Sequence, residues 1–357
     1  MKTINANSLP GYVISLFCGI IFGYAMQKAR IYDPSVIRNQ MDFSQFVMLK
    51  VFLTAAVTSA IVFFILYNIK NTKENVISAQ VNMGGIGRRG LMPVVLGGFL
   101  LGSGLYLSGT CPGMVWVELG SFVKSSIFTL LGTFVGTFIY ANFTAIEKYV
   151  VNEKKPIPAM IMDVVHCSYN TCALIFITLL ISIIIAVEYY FPWRSELPIS
   201  FFSSYSLTSP FWPPIMTGIA VGLLQFPLLS MGKFLGTSAS FMTILAQLYD
   251  KTPSLKSMKT NYWQVVLVFG IFLGSFLSYY LTYSIYGSHY LSAPSLSPLY
   301  SFIGGILLLI GAKMMRACTS GQGLSGMPLM CFPSMIATCF IFVGGITSSL
   351  LLKKYGF

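Results

Sequence analysis

Two short cysteine stretches carry the residue types most able to do chemistry. The first is Gly109-Thr110-Cys111-Pro112-Gly113, and the second is Ala317-Cys318-Thr319-Ser320-Gly321-Gln322-Gly323. Each interrupts an apolar region where an ordinary membrane helix would continue. A thiol is small and polarisable and a weak donor, so it suits a soft anion better than a hard one such as sulfate. Pro112 has no N–H and opposes helix, while the glycines let backbone approach backbone. The N-termini of half-helices after each cysteine carry partial positive charge, which favours an anion. Glu118 follows Cys111 within one short helical stretch and is the acidic residue placed to pair with a cation or to accept a proton for coupling. Lys313 and Arg316, just before Cys318, are placed to snorkel to the interface or to draw anions in.

The two stretches are in register. Cys111 and Cys318 are 207 positions apart, and the same offset carries Gly97 to Gly304, Gly98 to Gly305 and Gly104 to Gly311. A cysteine and three glycines in one ungapped register point to two related halves with one thiol loop each.

Composition sets the solvent. The chain of 357 residues is 55% hydrophobic and 9% charged, with a mean hydropathy of +0.75. Soluble domains carry roughly 25% charged residues. Apolar runs near the length of a membrane crossing, rather than alternating patterns, indicate an all-α integral membrane protein and exclude a β-barrel. The net charge of +12 lies mostly between apolar segments, as expected for topology signals and lipid headgroup contacts, with no nucleic-acid partner. The seven cysteines form no CxxC pair, so neither a disulfide framework nor a metal site is expected, and no cofactor. Cys18, Cys167, Cys172, Cys331 and Cys339 are expected to be small packing residues. His166 and His289 form no cluster. The N-terminus shows no cleavable signal pattern.

In chain order, spans are expected at Pro10–Met26, Phe46–Tyr67, Leu91–Ser108, Ser121–Ala141, Cys172–Tyr190, Pro214–Leu229, Trp263–Tyr283, Tyr300–Met315 and Pro333–Leu352. Gln27–Phe43 is too polar to face lipid, and Ser230–Leu248, with Gly236-Thr237-Ser238-Ala239-Ser240, is a semi-polar re-entrant candidate. Met114–Gly120 and Leu324–Leu329 are too short to cross. Asn68–Gly90 reads as a polar loop with a flexible turn at Gly84–Gly87, Glu147–Pro158 as a charged linker, Phe191–Pro210 as an aromatic interfacial loop. The expected organisation is a first repeat over 1–150, a joining span and loop over 151–210, and a second repeat over 211–357. Four spans plus one joining span is odd, so the second half enters from the opposite face: about nine transmembrane helices in two inverted repeats, with re-entrant half-helices and central Cys loops. The loops then dip in from opposite faces and meet near the midplane. Lys70, Lys73, Arg88, Arg89, Lys148, Lys154, Lys155, Lys251, Lys256 and Lys259 fall on one side and favour an N-inside orientation, while Lys353-Lys354 falls on the other.

The second motif, Gly304-Gly305 followed by Gly311-Ala312-Lys313-Met314-Met315-Arg316-Ala317-Cys318-Thr319-Ser320-Gly321-Gln322-Gly323-Leu324-Ser325-Gly326, resembles the signature of the YeeE/YedE sulfur-transport family. Gly98, Gly102, Gly104, Ser108-Gly109, Cys111 and Gly113 agree in the first half, as do Gly19, Gly23 and Gln27-Lys28-Ala29-Arg30, and Gly232-Lys233 with Gly236-Thr237-Ser238. The resemblance covers nearly the whole chain. It implies an hourglass-shaped protein that takes up thiosulfate or a related inorganic sulfur anion, handed along a central path by S–H···S contacts. Cys111 and Cys318 match two of the thiols, and Tyr32 stands where the third is expected. Gly109, Thr110, Gly113, Thr319, Ser320 and Gly321 complete the implied path, and the protein is a transporter rather than an enzyme. The partners expected are the sulfur anion and membrane lipids, with other membrane subunits or a sulfur-carrier protein as further candidates. The alternative is a non-transporting accessory subunit of a larger membrane complex that keeps the fold. A plasma membrane and a mitochondrial inner membrane both fit.

Overall fold

The computed structural model describes residues 4–142, 151, 155–196 and 209–354. Lys148, Lys154, most of the linker from Glu147 and much of the aromatic loop after Glu196 lie outside the described residues. Among the described residues there is no strand, only an isolated bridge between Met160 and Cys331. The first half holds α1 (Leu9–Lys28), α2 (Pro34–Met41), α3 (Val47–Asn68), α4 (Lys73–Gly84), α5 (Leu91–Ser108), α6 (Met114–Gly120) and α7 (Ser125–Asn142). Then come α8 (Tyr169–Tyr190), α9 (Pro214–Leu223), α10 (Gln225–Ser230), α11 (Ser238–Leu248), α12 (Tyr262–Tyr286), α13 (Pro298–Met314) and α14 (Phe332–Lys354), with single turns between some of them.

Among the described residues, seven helices are long and apolar enough to cross a membrane: α1, α3, α5, α7, α8, α12 and α14. The expected nine included α9–α10 and α13, which are shorter. The half-helix after Cys111 is α6, as expected. The piece after Cys318 is a π-helical segment, Ser320–Gly326.

Asn68–Gly90 is not a loop. Val76, Ala79, Gln80 and Met83 recur at helical spacing and are all buried along α4. Many polar residues on its other face lower the average hydropathy and hide that stripe. Gly87 is no free hinge either, because a Cβ there would stand 2.8 Å from the Ile157 carbonyl oxygen.

In lipid there is little hydrophobic drive between helices, so close backbone packing holds them together. Gly19 and Gly23 of α1 face Gly270, Ile271 and Ser275 of α12, and the residue numbers rise together, so the pair is parallel. Gly218 and Gly222 of α9 face Thr54 and Thr58 of α3, again in parallel. Gly98 and Gly102 of α5 meet Ala337 and Ile341 of α14, and Gly132 and Gly136 of α7 meet Phe302 and Ile306 of α13, both in parallel. Gly97 and Gly104 of α5 meet Gly311 and Gly304 of α13 with the order reversed, so these two helices, which the 207-residue offset superposes, run antiparallel. In each of these pairs one helix comes from the first half and one from the second.

Candidate functional site

α5 ends where Gly109 turns left-handed at φ +66. A Cβ there would lie 2.5 Å from the Pro34 Cβ, so this position has neither the conformation nor the space for a side chain. The chain then passes Cys111 and re-enters helix as α6, with Val115 N–H donating to the Cys111 carbonyl at 3.1 Å. α6 is pinned against α12: the Ser275 hydroxyl donates to the Val117 carbonyl at 2.6 Å and pairs with Ser121 at 2.9 Å. Trp116 packs on Phe241 of α11 with ring centroids 5.7 Å apart.

Glu118 lies on this half-helix and is fully buried. Thr110 lies beside it, yet neither carboxyl oxygen nor the Thr110 hydroxyl makes a hydrogen bond of regular geometry. Tyr32 is also buried with an unpartnered hydroxyl. It sits on the turn before α2, two residues ahead of the Pro34 on which Gly109 rests. Asp33 caps α2 by accepting from Ser35 N–H at 2.9 Å and faces Arg30 at 3.7 Å.

The second loop leaves α13 through Arg316, a non-glycine residue at φ +57. Arg316 is exposed and Lys313 half-buried, with Lys313 within the electrostatic reach of Cys318. The Cys318 thiol has two hydroxyl neighbours, Ser320 Oγ at 3.2 Å and Thr237 Oγ1 at 3.7 Å. Gln225 ties the surrounding backbone. Its amide donates to the Leu324 carbonyl and to Ser325 Oγ, each at 2.8 Å, and accepts from Leu235 N–H at 3.3 Å. Ser325 donates to the Leu235 carbonyl at 3.1 Å, and Gln322 to that of Met315 at 2.9 Å.

The structure brings the loops together. Cys111 and Cys318 are close enough to feel each other's charge. Thr237 bridges them: it touches Cys318, and a Cβ on Gly113 would stand 3.2 Å from its hydroxyl. Cys111 and Thr319 line a common cavity of about 30 Å³ with Gln40, Phe52, Leu105 and neighbouring apolar residues. Thr319 Oγ1 and Gln40 Oε1 have no hydrogen-bond partner. That volume is about one water's share of liquid.

Sequence reasoning missed Gln40, Gln225 and the part played by Thr237 at the thiol. Gln225 is a lone amide in an apolar run, and that was the available signal, since a buried amide must find partners; Gln40, among Arg38, Asn39 and Asp42, carries no such signal. Of the cysteines expected to pack, Cys18, Cys172 and Cys331 are buried, but Cys167 and Cys339 are exposed. Cys339 lies on the outer face of α14, where lipid rather than protein surrounds a small side chain. His166 is exposed. Among the described residues no group of three or more His, Cys, Asp or Glu could hold a metal.

Residues 28–347 match the family model described as sulphur transport. The thiosulfate transporter TsuA of Escherichia coli (strain K12) is 24% identical over 351 residues, covering 94% of this chain and 93% of its own.

Proposed function

The chain belongs to the sulphur-transport family, a multi-pass integral membrane protein, and from that premise we propose that it carries thiosulfate or a related sulfur-containing anion between Cys111 and Cys318. The observation that carries this reading is the cavity shared by Cys111, Thr319 and Gln40, in which Thr319 Oγ1 and Gln40 Oε1 lack partners in surroundings where an unpaired polar group is costly. A soft anion supplies what these groups lack. The thiols and the Thr319 hydroxyl donate to it, and the Gln40 amide can turn its NH2 inward. The name of the relative, a thiosulfate transporter, supports the substrate.

The cavity is too small for an anion of two sulfurs and three oxygens, so passage requires the loops to part. The first loop, with Gly113 just past Cys111 and the Thr110 hydroxyl unpaired, is the part that gives way. Lys313 and Arg316 concentrate anions at the second loop, and the Tyr32 hydroxyl replaces a thiol as donor beneath the first. The antiparallel pass of α5 and α13 supports an inverted pair of halves, 1–150 and 211–357, joined by 151–210, with one gate facing each side.

Uptake of labelled thiosulfate into liposomes containing wild type, Cys111→Ala or Cys318→Ala tests this. Each variant is expected to lose about tenfold, the equivalent of roughly 1.4 kcal/mol. Equal uptake by all three removes the cysteines from the path.

A further inference from the structure

One group near the first loop has no structural role that its surroundings explain. Glu118 is fully buried, and both its carboxyl oxygens lack hydrogen-bond partners. An ionised carboxylate left so would cost several kcal/mol, as roughly estimated for an unpaired buried ion. The Thr110 hydroxyl lies beside it without a hydrogen bond of regular geometry and is a single neutral donor. The titratable groups that reach it are Asp33, at the head of α2, and Cys111, both acids. Of the elements packed on α6, α1 carries Lys28 at its end, where it donates to the Thr282 hydroxyl at 2.9 Å. α12 turns Ser275 toward α6, α11 has no titratable residue, and α7 has Tyr140 near its far end. A neutral carboxyl fits this place, and a neutral carboxyl is a hydrogen-bond donor.

We propose that Glu118 is a proton-binding site that couples anion passage to proton movement. The protonated carboxyl, beside Thr110 and Cys111, donates its O–H to the anion in the first loop. The ionised form repels a dianion from the same place, so proton and anion bind together and travel in the same direction. Coupling of this kind is reciprocal: the anion favours the proton as much as the proton favours the anion. The inference rests on the reading that a sulfur anion passes Cys111. It adds the driving ion, which that reading leaves open.

The test uses the full chain in liposomes with the membrane potential clamped at zero. With one proton per anion, an acid-outside gradient multiplies thiosulfate accumulation by about tenfold per pH unit. Wild type that exchanges thiosulfate but accumulates none in response to the gradient overturns the coupling and leaves the substrate reading intact. Wild type that exchanges no thiosulfate overturns both. The site is assigned by proton uptake on thiosulfate binding, followed with a pH indicator in detergent. Measured in buffer alkaline enough that the unliganded site has released its proton, wild type is expected to take up about one proton and Glu118→Gln none. Uptake by Glu118→Gln equal to wild type moves the proton elsewhere. Should the Gln variant not be recovered folded, Glu118→Asp serves, because it keeps the acid and displaces it by one methylene. A shifted pH profile of uptake supports the assignment, and a profile superimposable on wild type overturns it.

Discussion

The two cysteine loops occupy equivalent positions in the two halves, yet their polar groups are treated in opposite ways. Around Cys318 the thiol touches two hydroxyls, and Gln225, Gln322 and Ser325 stitch the neighbouring backbone with bonds of 2.8–3.3 Å. Around Cys111 the side chains of Thr110, Glu118, Tyr32 and Gln40 all leave oxygen atoms unpaired. One loop is a fixed frame with its own bonds complete, save at Thr319 Oγ1 and Gln322 Oε1. The other is a set of unmet demands. Buried polar groups that the protein itself does not satisfy are groups a guest can satisfy. If the proposed function holds, the contrast gives the second loop the rigid part and the first the recognition.

The largest expected effect comes from breaking the frame. Gln225→Leu strands the Leu324 carbonyl and the Leu235 N–H, at about 1–3 kcal/mol for each unsatisfied group. Thermal unfolding of the purified protein in detergent is expected to show the greatest loss of any single change in either loop. A melting temperature equal to wild type would remove the rigid frame from the comparison. Next in size is Gly109→Val, which forces a β-branched residue into a left-handed turn against Pro34, at about 2–4 kcal/mol. Its counterpart 207 positions on is Arg316, which already tolerates φ +57 because its side chain is free to leave the packing.

Smaller effects sharpen the contrast in function. Gln40→Leu and Thr319→Val remove unpaired groups from the shared cavity. Thiosulfate uptake is expected to fall about five- to tenfold, as for roughly 1–1.5 kcal/mol of hydrogen bonding, with no loss of melting temperature. A fall in stability instead would make them part of the frame. The smallest change is Arg316→Gly, which relieves the left-handed backbone and raises the melting temperature by about 1–3 °C. In the same variant, uptake at low thiosulfate falls if the guanidinium concentrates anions, and unchanged uptake at every concentration places that task on Lys313 alone.

Much of this was legible before any coordinates. α5 and α6 begin and end where the apolar run and the Gly-Thr-Cys-Pro-Gly interruption place them, because span length and helix breakers are local properties. The helix-packing glycines Gly19, Gly23, Gly132 and Gly136 were read correctly, since the four-residue spacing is itself the contact geometry. α4 was not legible, because its stripe is buried by partners far along the chain, with Gln80 donating to the Leu329 carbonyl at 3.1 Å. Lys50 was equally hidden: its partners Glu188 at 2.9 Å and Glu196 at 3.4 Å come from the far end of the joining span. Whether a polar residue is satisfied depends on what crosses its path in space. The unpaired state of Glu118 could therefore be suspected from its place beside Cys111 but not read.

The parallel pairs α1–α12, α3–α9, α5–α14 and α7–α13 interlock the halves like the fingers of two hands. Among the described residues the main hydrophobic cluster draws on both halves, so neither half is carried as a rigid lever by a core of its own. A transport cycle that rocks one half against the other would have to slide every one of these glycine-lined seams at once. If the proposed path holds, opening falls to the short, unlaced segments at the centre, with the bulk of the helical mass as a stationary housing. The same interlock governs biogenesis. Helices made first stand in the membrane without their main partners until the second half of the chain is translated, so truncation from the C-terminus is expected to leave no folded remnant.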